Sequence, residues 1–168
     1  MTETFTAERH PVRAALEAGQ CDDAAFDGLY TGRVRDVSKH FWTPVAVAGR
    51  VSSLLSQLGA SRVLDVGAGA GKFCNAAAPM SPQLTFVGVE QRGDLVATAR
   101  STTRLLGLAN VCHVHANVTE VSWTGFDALY FYNPFGENLN LSDADCVDDA
   151  VELSSQRYMS EVAWAEHR

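Results

Sequence analysis

Apolar residues recur along this chain in two alternating patterns, one typical of helices and the other of short buried strands. Between Pro44 and Leu58 they return every three or four positions, which predicts a helix with one buried face. Further along, four short apolar segments are predicted as strands, over residues 62–66, 85–90, 111–116 and 127–132. The fourth is almost continuously apolar, as expected for a strand that is buried on both faces.

Helical patterns separate these predicted strands, over residues 71–78 and 94–106, and a last helix is predicted from Ser142 to about Ala165. Strands that alternate with helices predict parallel βαβ units with right-handed crossovers. The fold class indicated is therefore α/β, with a mainly parallel sheet between layers of helices.

The pattern before residue 44 is shorter and less regular. Residues 1–20 predict a short helix or a loose arm, and Asp22 to Leu29 predicts a second short helix. Thr31 and Gly32 indicate a break after it. We therefore expect an N-terminal helical arm or cap at residues 1–43 and an α/β domain at residues 44–168.

Composition narrows the possible partners. With 168 residues, 46% of them hydrophobic and 20% charged, the chain has the profile of a globular protein. Its apolar runs are too short to span a bilayer, so we expect a cytoplasmic protein without a membrane partner. Eight of its 20 acids but two of its 13 bases lie in residues 133–168. That acidic excess favours a small molecule or a protein over a nucleic acid as partner.

Metal-ligating residue types do not form a recognisable set. The spacings of the cysteines are wide and irregular, which fits buried free thiols in a reducing compartment and no zinc site. The four cysteines are Cys21, Cys74, Cys112 and Cys146. His113 and His115 alternate on one predicted strand, where packing within the sheet is the expected role. We predict no metal.

The most informative segment is the turn after the first predicted strand. Residues 63–72 read Val-Leu-Asp-Val-Gly-Ala-Gly-Ala-Gly-Lys, so Gly67, Gly69 and Gly71 follow a strand and open a helix. This spacing matches neither a phosphate-binding P-loop nor the dinucleotide fingerprint, whose third glycine comes one residue later. Asp65 adds a carboxylate beside the turn, which opposes a pyrophosphate and favours a cationic group.

A second carboxylate, Glu90, closes the second predicted strand. In an open α/β sheet this position lies where a ribose would bind, and a carboxylate there accepts hydrogen bonds from both ribose hydroxyls. Together with the glycine turn and Asp65, it indicates an adenosine ligand that carries an ammonium group and no phosphates.

The residues Asp65-x-Gly67-x-Gly69-x-Gly71 with Glu90 resemble the class I (Rossmann-like) S-adenosylmethionine-dependent methyltransferases. The resemblance runs from about Thr43 to Phe135, roughly half of the chain. It implies a methyltransferase, a three-layer Rossmann-like sandwich and S-adenosyl-L-methionine as cofactor. The cofactor-binding residues that it implies are Asp65 at the methionine amino group, Gly67, Gly69 and Gly71 beneath the methionine, Glu90 at the ribose, and Gln91, Asn117 and Val118 around the adenine.

The turn after the fourth predicted strand carries a second resemblance. Asn133-Pro134-Phe135 is similar to the Asp/Asn-Pro-Pro-Tyr/Phe loop of amino-group methyltransferases, with one proline missing. By that resemblance these three residues are catalytic and hold the methyl acceptor, with an amino group favoured. Carboxylate, hydroxyl and carbon acceptors stay open.

The resembling family has seven strands in the order 3-2-1-4-5-7-6, and the pattern here predicts four. We therefore expect the order 3-2-1-4 with the C-terminal strands missing, through truncation, a naturally reduced fold, or a homo-oligomer that covers the edge of strand 4. Two other functions stay open. One is a non-catalytic cofactor-binding or interaction module, and the other is an NAD-dependent oxidoreductase.

Overall fold

The computed structural model describes residues 9–132, 134 and 154–167. Its centre is a sheet of four parallel strands in the order β3-β2-β1-β4. The strands are β1 (Arg62–Val66), β2 (Thr85–Glu90), β3 (Val111–His115) and β4 (Ala128–Phe131). The predicted α/β class and the strand order 3-2-1-4 are confirmed.

Seven α-helices and one 3₁₀ turn lie within the described residues. They are α1 (Pro11–Glu17), α2 (Asp23–Asp27), α3 (Gly32–Phe41), α4 (Val45–Gln57), α5 (Lys72–Met80), α6 (Gly93–Leu105), the 3₁₀ turn Val118–Glu120, and α7 (Ser155–Glu166). The predicted helices that became α4, α5 and α6 agree with the structure to within two residues at each end. The prediction of one continuous helix from Ser142 to about Ala165 is wrong, because α7 begins at Ser155 and Ser154 before it is extended and caps it; Ser142 itself lies outside the described residues.

The main core lies on the face of the sheet that α4 and α5 cover. Side chains of the N-terminal helices belong to this core, because Leu16, Phe26 and Val37 pack in one cluster with Val63 of β1 and Phe86 of β2. Helices α1 to α3 therefore bury apolar surface together with the sheet. The division of the chain at residue 43 stays a prediction.

β4 is held beside β1 by a side chain that precedes it. The Asp127 carboxylate accepts hydrogen bonds of 2.8 Å from the backbone N–H groups of both Ser61 and Arg62. These two bonds favour the charged form and hold the pKa of Asp127 below its usual value. They also fix the register in which Leu64 lies opposite Leu129.

The prediction that the fourth strand is buried on both faces is wrong. Leu129 and Phe131 are 41% and 39% exposed, whereas their neighbours Ala128 and Tyr130 face the core. The reason is topological, because within the described residues β4 pairs with β1 alone and forms an end of the sheet. The apolar residues of β4 thus predicted burial on both faces, whereas among the described residues one face is only partly covered, with the Phe131 ring packed edge-on against Trp123 at 5.8 Å.

Two further expectations on packing have different outcomes. Of the two histidines expected to pack within the sheet, His113 is buried against Gly71 and Gly88, whereas His115 is exposed and its Nε2 atom lies 3.0 Å from the Gln91 carbonyl oxygen. The expectation of uniformly buried thiols is wrong, since Cys74 is buried but Cys112 on β3 is exposed. Among the described residues, none of the helices has the length and apolar character needed to cross a membrane.

Candidate functional site

The turn that joins β1 to α5 depends on its glycines. Gly67, Gly69 and Gly71 have φ angles of +70°, +55° and +75°, in the left-handed region that residues with a side chain rarely adopt. A Cβ atom at Gly67 would overlap Pro134, and one at Gly69 would overlap the Trp42 indole. The absence of a Cβ atom at Gly67 and Gly69 thus lets Pro134 and Trp42 pack directly against the backbone of the turn.

Gly71 has a different environment from the other two glycines. A Cβ atom there would meet the ring of His113 at 2.6 Å and Ala99 at 2.8 Å, both in the layer beneath the turn. Its small size therefore serves internal packing against β3 and α6. The structure does not bring Gly71 together with the other predicted cofactor-binding residues.

Glu90, at the end of β2, fastens the turn to the sheet. Its Oε2 atom accepts a hydrogen bond of 3.0 Å from the backbone N–H of Gly69, and its Oε1 atom accepts one of 2.8 Å from Arg92. The side chain is 8% exposed. A carboxylate has about four acceptor positions, so two remain for a ligand.

Asp65 lies in the middle of the sheet, on β1, and is 4% exposed. The Cys74 thiol donates a hydrogen bond of 3.4 Å to its Oδ2 atom. Burial raises the pKa of Asp65 to about 7, although the Cys74 hydrogen bond lowers it, and the charge of Glu90 raises it further. The carboxyl group is therefore poised to ionise near neutral pH, where a cation beside it would favour the charged form.

These residues surround a cleft with two compartments. The larger, of about 600 Å³ including space open to solvent, lies on the β2–β3 side and contains most of the predicted residues: Gly67, Gly69, Glu90, Gln91, Asn117, Val118 and Pro134. The smaller, of about 230 Å³, is lined by Asp65 with Thr43, Gly67 and Phe73. Trp42, Phe41 and Tyr132 line both compartments.

Two of the predicted residues in the larger compartment have fixed side chains. The Oδ1 atom of Asn117 accepts hydrogen bonds from the backbone N–H and the hydroxyl of Thr119, at 3.0 and 2.9 Å. The Oε1 atom of Gln91 accepts one of 2.8 Å from Arg157 of α7, which also pairs with Glu161. Helix α7 thus reaches the same end of the cleft as β2 and β3.

The predicted catalytic turn is described in part. Pro134 lines the cleft and lies directly over Gly67. Asn133 and Phe135 lie outside the described residues.

Sequence reasoning missed several lining residues. Trp42, Phe41 and Thr43 come from the segment between α3 and α4, Tyr132 follows β4, Arg92 follows β2, and Glu161 lies on α7. The adjacent aromatic pair before Pro44 was the available signal, but simple packing was an equally good interpretation of it. These residues come from segments that are far apart in the sequence, so no pattern of neighbouring residues predicts that they meet in one cleft.

The position of Lys72 could not be inferred from the sequence, where a lysine at the start of a helix is typical of the surface. It does begin α5, but its side chain is 1% exposed and its ammonium group pairs with Asp23 and Asp27 of α2. Nothing in the sequence around Asp23 and Asp27 indicates that these carboxylates pair with a lysine as distant along the chain as Lys72.

The arrangement suits one kind of ligand. A buried carboxylate that can accept from neighbouring hydroxyls lies at one end of the cleft, and a second carboxylate lies at the other end. The two glycines between them lie beneath Pro134 and the Trp42 indole, which line the same cleft. Such a site can bind an extended molecule with a diol at one end and a cationic group at the other.

Comparisons with known proteins agree on one kind of protein. A family model described as a methyltransferase domain matches residues 58–152. A curated protein from Microcystis aeruginosa, a tRNA (guanine-N(7)-)-methyltransferase, is 38% identical over 55 residues, which cover 33% of this chain and 26% of that protein. The match therefore spans about a quarter of the relative's length.

Solved structures of methyltransferases also resemble the chain. The plantazolicin methyltransferase BpumL has 14% identity and a TM-score of 0.44, over 55% of this chain and 35% of that one. A putative caffeoyl-CoA O-methyltransferase from Staphylococcus aureus has 13% identity and a TM-score of 0.48, over 57% and 50% of the two chains.

Proposed function

This chain belongs to the methyltransferase domain family, whose cofactor is S-adenosylmethionine, and on that premise we propose that it transfers the cofactor's methyl group to a nitrogen acceptor. The observation that carries the proposal is the pair of buried carboxylates, Glu90 and Asp65, on the two sides of the glycine turn in one cleft. S-adenosylmethionine has a ribose diol and an amino group, which are the features that this pair suits.

The residues present fit the cofactor. Glu90 is already oriented by two backbone N–H groups, and Gly67 and Gly69 line the same cleft with Pro134 and the Trp42 indole packed against them. In the proposed assignment Glu90 binds the ribose and Asp65 the methionine amino group, while Gln91, Asn117 and Val118 surround the adenine. Gly67 and Gly69 support the methionine, and Gly71 acts indirectly by letting the turn pack on His113.

The cofactor, when bound, supplies a methyl group on a positively charged sulfur. What remains for the chain is to hold an acceptor with its lone pair aimed at that methyl carbon, since positioning provides much of the rate of such a displacement. We assign this role to the turn Asn133-Pro134-Phe135. Its support is Pro134, which lies over Gly67 at the edge of both the turn and the cleft.

For the acceptor we propose an amino group on a small molecule or a protein. The acidic excess of residues 133–168, which include the assigned turn, disfavours a phosphate backbone. A second candidate, a nucleic acid, is favoured by one observation, namely that the relative from Microcystis aeruginosa is named as a tRNA methyltransferase.

Calorimetry with S-adenosylhomocysteine tests the cofactor assignment. We expect binding, with Glu90→Gln much weaker and the exposed Glu120→Gln unchanged as the matched control. Failure to bind at millimolar ligand would contradict the proposal, and binding of NAD instead would support an oxidoreductase.

Transfer of radiolabelled methyl groups tests the acceptor. The purified protein is incubated with labelled S-adenosylmethionine and, separately, total bacterial tRNA, a nucleic-acid-free protein extract, and a small-molecule extract. We expect label in one of the last two. Label in tRNA would favour the second candidate, and binding without transfer to any pool would favour a non-catalytic module.

A further inference from the structure

Lys72 is a buried cation directly after the glycine turn. Its Nζ atom lies 2.7 Å from Asp23 Oδ1, 2.8 Å from Asp27 Oδ1 and 3.1 Å from the Ser38 hydroxyl. Each of these partners belongs to α2 or α3, and Lys72 does not line either compartment of the cleft. The side chain therefore joins the N-terminal helices to the first residue of α5.

The same partners hold both ends of the segment that carries Trp42. On one side, Ser38 donates to Asp27 at 2.7 Å, and its carbonyl accepts from the Trp42 backbone N–H at 3.1 Å. On the other side, Asp23 Oδ1 accepts a hydrogen bond of 3.0 Å from the N–H of Val45, the first residue of α4. Residues 42–44 thus lie between two anchors that share one ammonium group.

Between these anchors, Trp42 lies at the centre of the cleft. Its indole rests on Gly69 and lines both compartments, and the residue is 7% exposed. The Tyr30 ring packs edge-on against it with centroids 5.7 Å apart, and the Tyr30 hydroxyl donates a 3.2 Å hydrogen bond to the carbonyl of Ala70 in the turn. An indole held from several sides in this way is a fixed wall of the cleft.

We propose that Lys72 is a positioning residue for the cofactor site, which sets cofactor affinity by holding the Trp42 indole against the glycine turn. The inference rests on the proposed function and adds the N-terminal helices to the cofactor site. A buried ammonium shared by two carboxylates holds its partners firmly, because separating them would leave the ammonium buried without a compensating charge. Lys72 therefore acts through Trp42, and Trp42 is the residue that contacts the ligand.

The test is a double-mutant cycle on the dissociation constant of S-adenosylhomocysteine, measured by calorimetry with Lys72→Met, Trp42→Ala and the double variant. We expect each single change to weaken binding about tenfold and the double variant to be no weaker than either, because both remove the same wall. An additive loss of about a hundredfold would overturn the inference. Tighter binding in Trp42→Ala would also overturn it, since the indole would then obstruct the cleft.

A control separates this role from general destabilisation. Arg13 also ties an N-terminal helix to the rest of the fold, by donating to the carbonyls of Leu106 and Gly107 at 3.1 and 2.7 Å, and these partners are not those of Lys72 or Trp42. Arg13→Met should lower the melting temperature and leave the dissociation constant unchanged. Equal loss of affinity in Arg13→Met and Lys72→Met would contradict a specific positioning role.

Two further outcomes are distinguishable. If Lys72→Met does not fold, Ser38→Ala replaces it in the cycle, because it removes the two hydrogen bonds that join the Ser38 hydroxyl to Lys72 and Asp27 and leaves both ion pairs. If the unmodified protein does not bind S-adenosylhomocysteine, the proposed function fails. If it binds and Lys72→Met binds equally well, the positioning role alone fails.

Discussion

At the scale of single residues, Glu90 has two tasks in one carboxylate. It accepts from Gly69 and Arg92 in the protein itself, and in the proposed function it also accepts from the ribose. Hydrogen bonds to a charged group contribute about 1.5–3 kcal/mol each, so Glu90→Ala should weaken S-adenosylhomocysteine binding at least tenfold. A 2′-deoxy analogue measured by calorimetry should lose less affinity in Glu90→Ala than in the unmodified protein. Equal losses would place Glu90 away from the ribose.

Asp65 should make cofactor binding depend on pH. The pKa of its carboxyl is raised to about 7, so below that pH the group is mostly neutral and must release a proton to pair with an ammonium group. Affinity for S-adenosylhomocysteine should therefore fall by up to about tenfold per pH unit as the pH decreases from 7 to 5. Calorimetry across this range should give a flat, weaker profile for Asp65→Asn. A steep profile in Asp65→Asn would assign the proton to another group.

Asp65 and His113 should have opposite effects on stability. Burial lowers the pKa of His113 to about 4, so the unfolded chain binds its proton first and stability falls as the pH decreases from 6.5 to 4. The raised pKa of Asp65 gives the reverse, since the native state binds that proton first and stability is lost as the pH rises from 4 to 7. The two contributions oppose each other between pH 4 and 6.5.

Replacing either Asp65 or His113 should reveal the contribution of the other residue to the pH dependence of stability. In His113→Gln, the free energy of unfolding should rise towards acid pH by up to about 1.4 kcal/mol per unit relative to the unmodified protein. In Asp65→Asn it should fall by a similar amount over the same range. Urea denaturation at several pH values measures both slopes, and parallel profiles for the three proteins would contradict the assigned pKa shifts.

At the scale of elements, the turn after β4 should control turnover. If Asn133 orients the acceptor, Asn133→Ala should reduce the rate at saturating cofactor far more than it changes the cofactor's dissociation constant, because the lost contact acts in the transition state. The measurement pairs methyl-transfer rates with calorimetry on the same variant. Collapse of affinity with a normal saturated rate would make Asn133 a cofactor ligand.

The central elements could be predicted because their signals are local. The glycines after β1, the proline before α4 and the apolar strands each specify a structure within a few residues. Helix α3 was not predicted, because a glycine at position 32 is typical of a break between helices. In the structure Gly32 has a φ angle of +52° and is the first residue of α3. The partial exposure of Leu129 and Phe131 on β4 was not predicted for another reason, because burial depends on which elements cover a strand. The Trp42–Gly69 contact likewise joins residues 27 positions apart in the sequence.

At the scale of the whole molecule, the N-terminal helices and the sheet share one core. Leu16, Phe26 and Tyr30 are each at most 1% exposed and pack with residues of β1 and β2. A chain of residues 44–168 alone should therefore lose cooperative unfolding, because removing these side chains uncovers apolar surface. Heat-capacity measurements on the full and shortened chains would test this. A sharp transition in the shortened chain would show that residues 1–43 are a separable arm.

The three tryptophans give this molecule two separate optical probes. Trp42 lies in the cleft, whereas Trp123 and Trp164 pack with ring centroids 5.2 Å apart at an interplanar angle of 90°. Chromophores at that separation couple their electronic transitions, so the pair has a circular dichroism signal that depends on α7 staying docked. The emission of Trp42 responds instead to what enters the cleft. Occupation of the cleft and docking of α7 can thus be followed in one sample without any attached label.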